Sequence, residues 1–294
     1  MNDSAQPTSK LPKQTSLQPI TDRDIPAVAE FLHQHMNSRF STEDWANGLN
    51  ACWLDDAPNH GFTLKADDQI VGALCAIYSL QTVKGKKERF CNPHTWCVLE
   101  PYRSKSVPLV LSIIRQEGYQ FTMFTPNKEG EQIFSYLGFK PLDRSKIILP
   151  NTPSLRRFKS SEIFCQNFPD HLPEDLARCA QDHQPYPWIN SFAFHSGNQY
   201  CLIFYKSAKF KKSSCANITY ISNKDLFARC WGEIKNYLLF KRGIFFTRID
   251  KRFLRKPPRL SFNTLEGPAR FYLSDKFDES AIEYIYSELT VMNL

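Results

Sequence analysis

Ile133-Phe134-Ser135-Tyr136-Leu137-Gly138-Phe139 and, upstream of it, Val98-Leu99-Glu100-Pro101-Tyr102-Arg103-Ser104-Lys105-Ser106-Val107-Pro108 are the two stretches on which the fold is decided. The first ends a helix that the apolar spacing starts at Glu129 and stops after Tyr136, with Gly138 as its C′ residue. The second ends a strand, Arg89–Leu99, and opens a helix, Val107–Arg115. Pro108 falls in the first turn of that helix, where a missing N–H is tolerated. Between the two stretches, Phe121–Thr125 reads as a short buried strand. The pattern is strand, helix, strand, helix.

Working outward, residues 1–15 read as a flexible polar tail. Leu17–Ile20 is a strand. Thr21 or Asp22 caps a helix over Ile25–Met36, and Ser41 with Asp44 forms a capping box for a second helix. Phe62–Lys65 and Ile70–Leu80 form a hairpin around Asp67-Asp68. Ile147–Leu149 closes this series, and Pro150-Asn151-Thr152-Pro153 marks a boundary. Beyond it come a helix over Pro173–Gln181 and a hairpin, Phe192–Phe194 with Tyr200–Tyr205. A strand Ala216–Ile221, a helix Lys224–Lys241, a strand Ile244–Ile249 and a closing helix Glu279–Thr290 follow. The rhythm of the first half recurs there as β-β-β-α-β.

Composition excludes several classes. The chain has 294 residues, of which 42% are hydrophobic and 23% charged, as in ordinary globular proteins. It shows no apolar run long enough for a membrane helix and no signal-peptide core, so a cytoplasmic protein is expected. Nine cysteines, with no CxxC pair, read as reduced thiols rather than a disulfide or zinc framework, and no metal is expected. Residues 1–150 hold sixteen basic and sixteen acidic side chains, whereas 151–294 hold 21 and 14, so the whole net charge of +7 lies in the second half. Lys206–Lys212, Lys241-Arg242 and the basic run Lys251–Arg259 there suggest an anionic ligand. Lys84-Gly85-Lys86-Lys87 reads as a basic hairpin tip, and Tyr186-Pro187-Trp188 as an anchored loop or the wall of a cleft. No Walker loop, Rossmann fingerprint, GxSxG or HExxH is present.

The element order over 16–150, with Val98–Arg103, Asn127 after the strand, and Ile133–Phe139 ending in Leu-Gly-Phe, resembles the GNAT (GCN5-related N-acetyltransferase) superfamily. The fold class that follows is α+β: the acyl-CoA N-acyltransferase fold, a mixed central sheet flanked by helices. The expected organisation is a GNAT-like domain over 16–150 and a second, divergent one over 151–294. The resemblance implies acetyl-CoA or another acyl-CoA as co-substrate, bound through Val98, Leu99, Arg103, Ser104, Lys105, Ser106, Val107 and Asn127. In the family an amine attacks the thioester, a base takes its proton and a tyrosine protonates the leaving thiolate. His94 and Glu100, which share strand parity, are the candidate bases, with Glu88 beside them.

The sequence departs from the family pattern at three positions. Ser106 and Pro108 stand where the phosphate loop has glycine or alanine, and Phe134 stands where the family has its tyrosine. Tyr136, the substitute acid, lies two residues on, about 200° around the helix, and should face elsewhere. The leading expectation is an N-acyltransferase acting on an amine of a small molecule, sugar or protein. The alternatives are a catalytically inactive GNAT-like binding or scaffold protein, and a Fem-like aminoacyl transferase, whose RNA partner ranks last.

Overall fold

Local chemistry sets the early elements as the sequence leads one to expect. Ser41 Oγ accepts from Asp44 N at 3.0 Å while Asp44 Oδ2 accepts from Ser41 N at 2.9 Å. Asp67 and Asp68 both adopt left-handed backbone, the geometry of a two-residue hairpin turn. Lys84 and Gly85 do the same at the next hairpin tip. The computed structural model describes residues 14–154, 161–164, 172–254, 256–258, 260–265, 267 and 269–293. The tail 1–13, Cys165, Arg255 and Arg259 lie outside them.

In chain order the elements begin β1 (Thr15–Pro19), α1 (Ile25–His35), α2 (Thr42–Asn50), β2 (Gly61–Ala66), β3 (Gln69–Val83) and β4 (Lys86–Val98). Next come α3 (Val107–Ile114), β5 (Tyr119–Met123), α4 (Lys128–Tyr136), β6 (Lys140–Pro141), β7 (Ser145–Pro150) and β8 (Ser161–Phe164). α5 (Glu174–His183), β9 (Asn190–Ser196), β10 (Gln199–Phe210), β11 (Ser213–Ile221), α6 (Lys224–Arg229) and α7 (Trp231–Arg242) follow. The chain ends with β12 (Phe246–Asp250), β13 (Phe262–Leu265), β14 (Phe271–Leu273) and α8 (Glu288–Val291).

Two compact units emerge. One comprises the chain up to Tyr78 with Pro93–Tyr119, and the other Ser79–Asn92 with Gln120 onward. In the first unit, β1, β2 and β3 are antiparallel neighbours in that order, with β4 next to β3. Val28, Leu32, Leu49, Leu74, Val110 and Ile113 are buried among α1, α2, α3 and this sheet.

The second unit holds a seven-stranded mixed sheet in the order β13-β7-β12-β11-β10-β9-β8, in which β11 and β12 run parallel. It also holds β5-β14-β6, with β14 antiparallel to both neighbours. Strand membership therefore does not follow the chain. β7, just before the Pro150–Pro153 segment, pairs with β12 and β13, and the late strand β14 separates β5 from β6. The main core packs Phe192, Phe194, Ile203, Phe227, Ile234 and Phe253 around Ile147 and Leu149.

Two expected helices take another form. The span Lys224–Lys241 breaks at Cys230, whose ψ of 13° ends α6 before α7 begins. The closing helix Glu279–Thr290 does not form. It is a short 3-10 turn at Glu279–Ala281, irregular backbone, then α8. Tyr286 sits in the left-handed region with φ 58°, which an interior helical residue cannot adopt. Arg252 Nη1 takes the carbonyls of Glu279 and Ile282, and the Tyr284 hydroxyl donates to Asp250. Tertiary partners have replaced helical ones.

Candidate active site

In the first unit, Leu99 turns the end of β4 into a 3-10 turn over Glu100–Lys105 that leads directly into α3. Ser106 has φ −79° and ψ −30°, ordinary right-handed backbone, so its Cβ introduces no strain. Its N–H donates to Arg103 O at 3.1 Å, and Pro108 has none to give. The turn thus offers a phosphate few backbone donors, and what it offers is side-chain charge. Arg103 is well exposed and paired with Glu100 at 3.0 Å, and Lys105 is exposed.

Glu100 is therefore a solvated partner of Arg103 rather than a poised base. His94 is the opposite case. It is 2% exposed, its Nδ1 is hydrogen-bonded with Thr95 Oγ1 at 2.7 Å, and its Nε2 has no partner. Burial pushes its pKa down to about 3, so it is neutral at pH 7 and a weak proton acceptor. Thr95, at φ 55°, breaks the alternation of the strand, so shared parity does not put His94 and Glu100 on one face.

In the second unit, β5 runs into Asn127, the cap of α4. Asn127 Oδ1 accepts from Gly130 N at 2.7 Å, so this side chain holds the helix start. Phe134 is 1% exposed and packs edge-on against Phe139 at 5.0 Å, while Tyr136 is 90% exposed. The substitute acid faces solvent, as its helical phase requires. Glu88 pairs with Lys276 at 2.9 Å.

A residue outside these expectations lies at the end of β5. Glu288 is 1% exposed. Its Oε1 accepts from Thr125 Oγ1 at 3.0 Å and from Phe124 N at 3.3 Å. Its backbone N–H donates to Asn92 Oδ1 at 3.0 Å, and Asn92 Nδ2 donates to Thr122 O at 3.0 Å. Oε2 has no hydrogen-bond partner. Burial raises its pKa to about 7, against the hydrogen bonds of Thr125, Asn92 and Phe124 that pull it down. Thr125, its hydrogen-bond partner, stands two residues before Asn127 in the chain.

No family model and no curated protein matches the sequence. Solved structures do match in fold. A GCN5-related N-acetyltransferase from Anabaena variabilis aligns with a TM-score of 0.60 at 11% identity, over 88% of this chain and 72% of that one. A probable N-acyltransferase from Enterococcus faecalis gives 0.57 at 10%, over 88% and 72%. A GCN5-related N-acetyltransferase from Kribbella flavida gives 0.54 at 12%, over 89% and 71%.

The chain has the GCN5-related N-acetyltransferase fold.

Within the GCN5-related N-acetyltransferase fold, β4, the turn Glu100–Lys105 and α3 are the elements that the Val98–Val107 motif marked in the sequence. Glu288 was missed because the span holding it read as an amphipathic helix. Glutamate inside an otherwise apolar run, Ile285-Tyr286-Ser287-Glu288-Leu289, was the available signal. Among the described residues no group of three or more His, Cys, Asp or Glu side chains is placed to hold a metal. No helix among them is long and apolar enough to cross a membrane.

Proposed function

We propose that the protein is an acyl-CoA-dependent N-acyltransferase in which Glu288 is the proton acceptor. Glu288 carries the reading: a buried carboxyl with one unpartnered oxygen and a pKa near neutrality, hydrogen-bonded to the end of β5. Groups that titrate near the working pH make the most effective general acids and bases. In this scheme the amine nitrogen attacks the thioester carbonyl carbon. The C–N bond forms, the C–S bond breaks, and Glu288 takes the proton the nitrogen loses. The same carboxyl then returns it to the departing thiolate, which leaves as CoA thiol. One group thus covers both transfers, in line with Phe134 standing where the family has tyrosine.

On the donor side, Arg103 and Lys105 supply charge to the phosphates in place of backbone N–H groups. Titration with acetyl-CoA and longer acyl-CoAs, followed by calorimetry, tests this. Saturable binding that weakens about tenfold in Arg103→Ala is expected for one lost charge-assisted contact. Absence of binding to every acyl-CoA at millimolar concentration would favour the second reading, a GNAT-fold binding protein without catalysis. Ser106 with its N–H already engaged, Pro108 and the buried Phe134 support that alternative.

A further inference from the structure

The break at Cys230 turns the chain between α6 and α7, and a cavity of about 340 Å³ opens beside that junction in the second unit. Phe227 and Arg229 reach it from α6, and Trp231 and Lys235 from α7. The segment after β12 closes it with Leu254, Lys256, Pro257 and Pro258. The volume lies at the lower end of the range for small-molecule sites.

The apolar part of the lining is rigid. Phe227 is 1% exposed and belongs to the main hydrophobic core. Its ring centroid lies 5.4 Å from that of Trp231, which packs against the same core yet is only half-buried. The indole is therefore braced from behind and still open to solvent. Opposite stand two consecutive prolines, whose rings fix their own backbone and leave no N–H to solvate. A stiff wall and a braced indole suit a flat apolar body, which can stack without ordering its surroundings.

The charged part of the lining is cationic. Arg229, Lys235 and Lys256 line the cavity, and no Asp or Glu does so among the described residues. Arg229 and Lys256 are exposed and Lys235 is half-buried, so their charges are accessible. Their hydrogen bonds go to neutral groups: Arg229 Nη2 donates to the Gln199 side chain, and Lys235 Nζ to Thr152 Oγ1 at 3.2 Å. Among the described residues none of the three has a carboxylate within ion-pair distance. Glu233 adjoins the lining on α7, and even with it counted the cations keep the majority. Such a lining attracts anions.

We propose that this cavity binds a small aromatic oxyanion, its flat body on Trp231 and its carboxylate or phosphate head among Arg229, Lys235 and Lys256. Such a ligand covers the open indole and supplies the counter-charge that the three cations lack. The two demands come from different parts of the lining, so neither a bare anion nor a neutral arene meets both. The site is separate from the acyl-transfer reading and stands without it.

Calorimetric titration of the full chain with cinnamate and with phenyl phosphate tests the proposal, beside acetate and the neutral cinnamyl alcohol. Saturable binding of at least one aromatic anion by the low-millimolar range is expected, and the tighter of the two identifies the head group. Cinnamyl alcohol has the same flat body without the charge and should bind at least about tenfold more weakly than cinnamate. Acetate should not saturate in that range. Lys235→Gln with Lys256→Gln, which touches no core contact, should weaken the anion at least about tenfold while the unliganded protein melts as before. Trp231→Leu should weaken it as well, and the lysine pair keeps the test sound if that variant folds poorly. Arg103→Ala should leave the affinity unchanged, which separates this site from anion binding at the α3 turn. Failure of both aromatic anions to saturate overturns the proposal. So does cinnamyl alcohol or acetate binding as tightly as cinnamate, an affinity unchanged in the lysine pair, or one lost in Arg103→Ala.

Discussion

Glu288→Gln is nearly isosteric and keeps an acceptor for Thr125 Oγ1 and Phe124 N, so it removes the titration while preserving the local contacts. A loss of about 10²–10⁴-fold in kcat is expected if this carboxyl is the base. The pH profile gives an independent readout. Wild-type kcat/KM should fall as pH drops below about 7, where Glu288 becomes protonated, and the variant should lose that limb. Stability should move the other way. Because the folded pKa is raised, the folded state holds its proton more tightly than the unfolded chain does. The destabilisation is therefore absent below the unfolded value of 4.5, grows as pH rises, and is complete above about 7. There it is on the order of 3 kcal/mol. Denaturation of both proteins at pH 4.5 and pH 8 should show Glu288→Gln gaining on wild type at the higher pH. Unchanged activity and an unchanged acid limb would remove Glu288 from the chemistry. His94 shows why residue type alone misleads here. A histidine beside a family motif invites the role of base, but burial pushes its pKa down to about 3 and weakens it as a proton acceptor, whereas burial pushes the Glu288 carboxyl up.

At the level of elements, glycines separate local from tertiary demands. Gly61, which opens β2, has φ 111°, and a Cβ there would come within 2.2 Å of Leu74 O on β3. Gly197, in the β9–β10 turn, has φ 58° with nothing within 4 Å of its missing Cβ. Gly197→Ala should cost about 1 kcal/mol, the left-handed backbone penalty alone. Gly61→Ala must also push apart two paired strands and should cost at least about 3 kcal/mol. Urea denaturation of the two variants side by side decides this, and equal costs would mean that the β2–β3 approach is looser than described. The same contrast explains what the sequence disclosed. The Ser41 box, the Asp67-Asp68 turn and the strands on either side of it rest on neighbours within a few residues, so they were legible. The segment 279–290 has apolar residues at helical spacing, yet Asp250, Asp182 and Arg252 bind its tyrosines and carbonyls from far along the chain. No local pattern encodes those partners. Glu283 and Glu288 both belong to that segment, so its backbone and the chemistry it carries were hidden together.

For the whole molecule, the exchange of β7 and β14 makes a specific claim about folding. Ile147, Ile148 and Leu149 on β7 are all fully buried, and each such side chain contributes about 1.5–3 kcal/mol when taken out of water. A run buried on both faces is what a central strand requires, and β7 is flanked on both sides, by β12 and β13. From the sequence this run ended the first half, because hydrophobicity shows that a strand is buried but not which strand lies beside it. A chain stopped after Pro150 would keep β7 and lose both of its neighbours. It would also lose β14, leaving β5 and β6 with open edges facing each other across a missing strand. Three exposed aliphatic residues on an unpaired strand amount to a large fraction of the roughly 5–15 kcal/mol that holds a typical domain together, and open edges invite aggregation. Residues 14–150 expressed alone should therefore be insoluble or lack a cooperative thermal transition, whereas the full chain melts sharply. Circular dichroism with size-exclusion chromatography reads the difference. A monomeric fragment with a sharp melt would mean that the first half closes its own sheet and that the strand exchange only joins the halves.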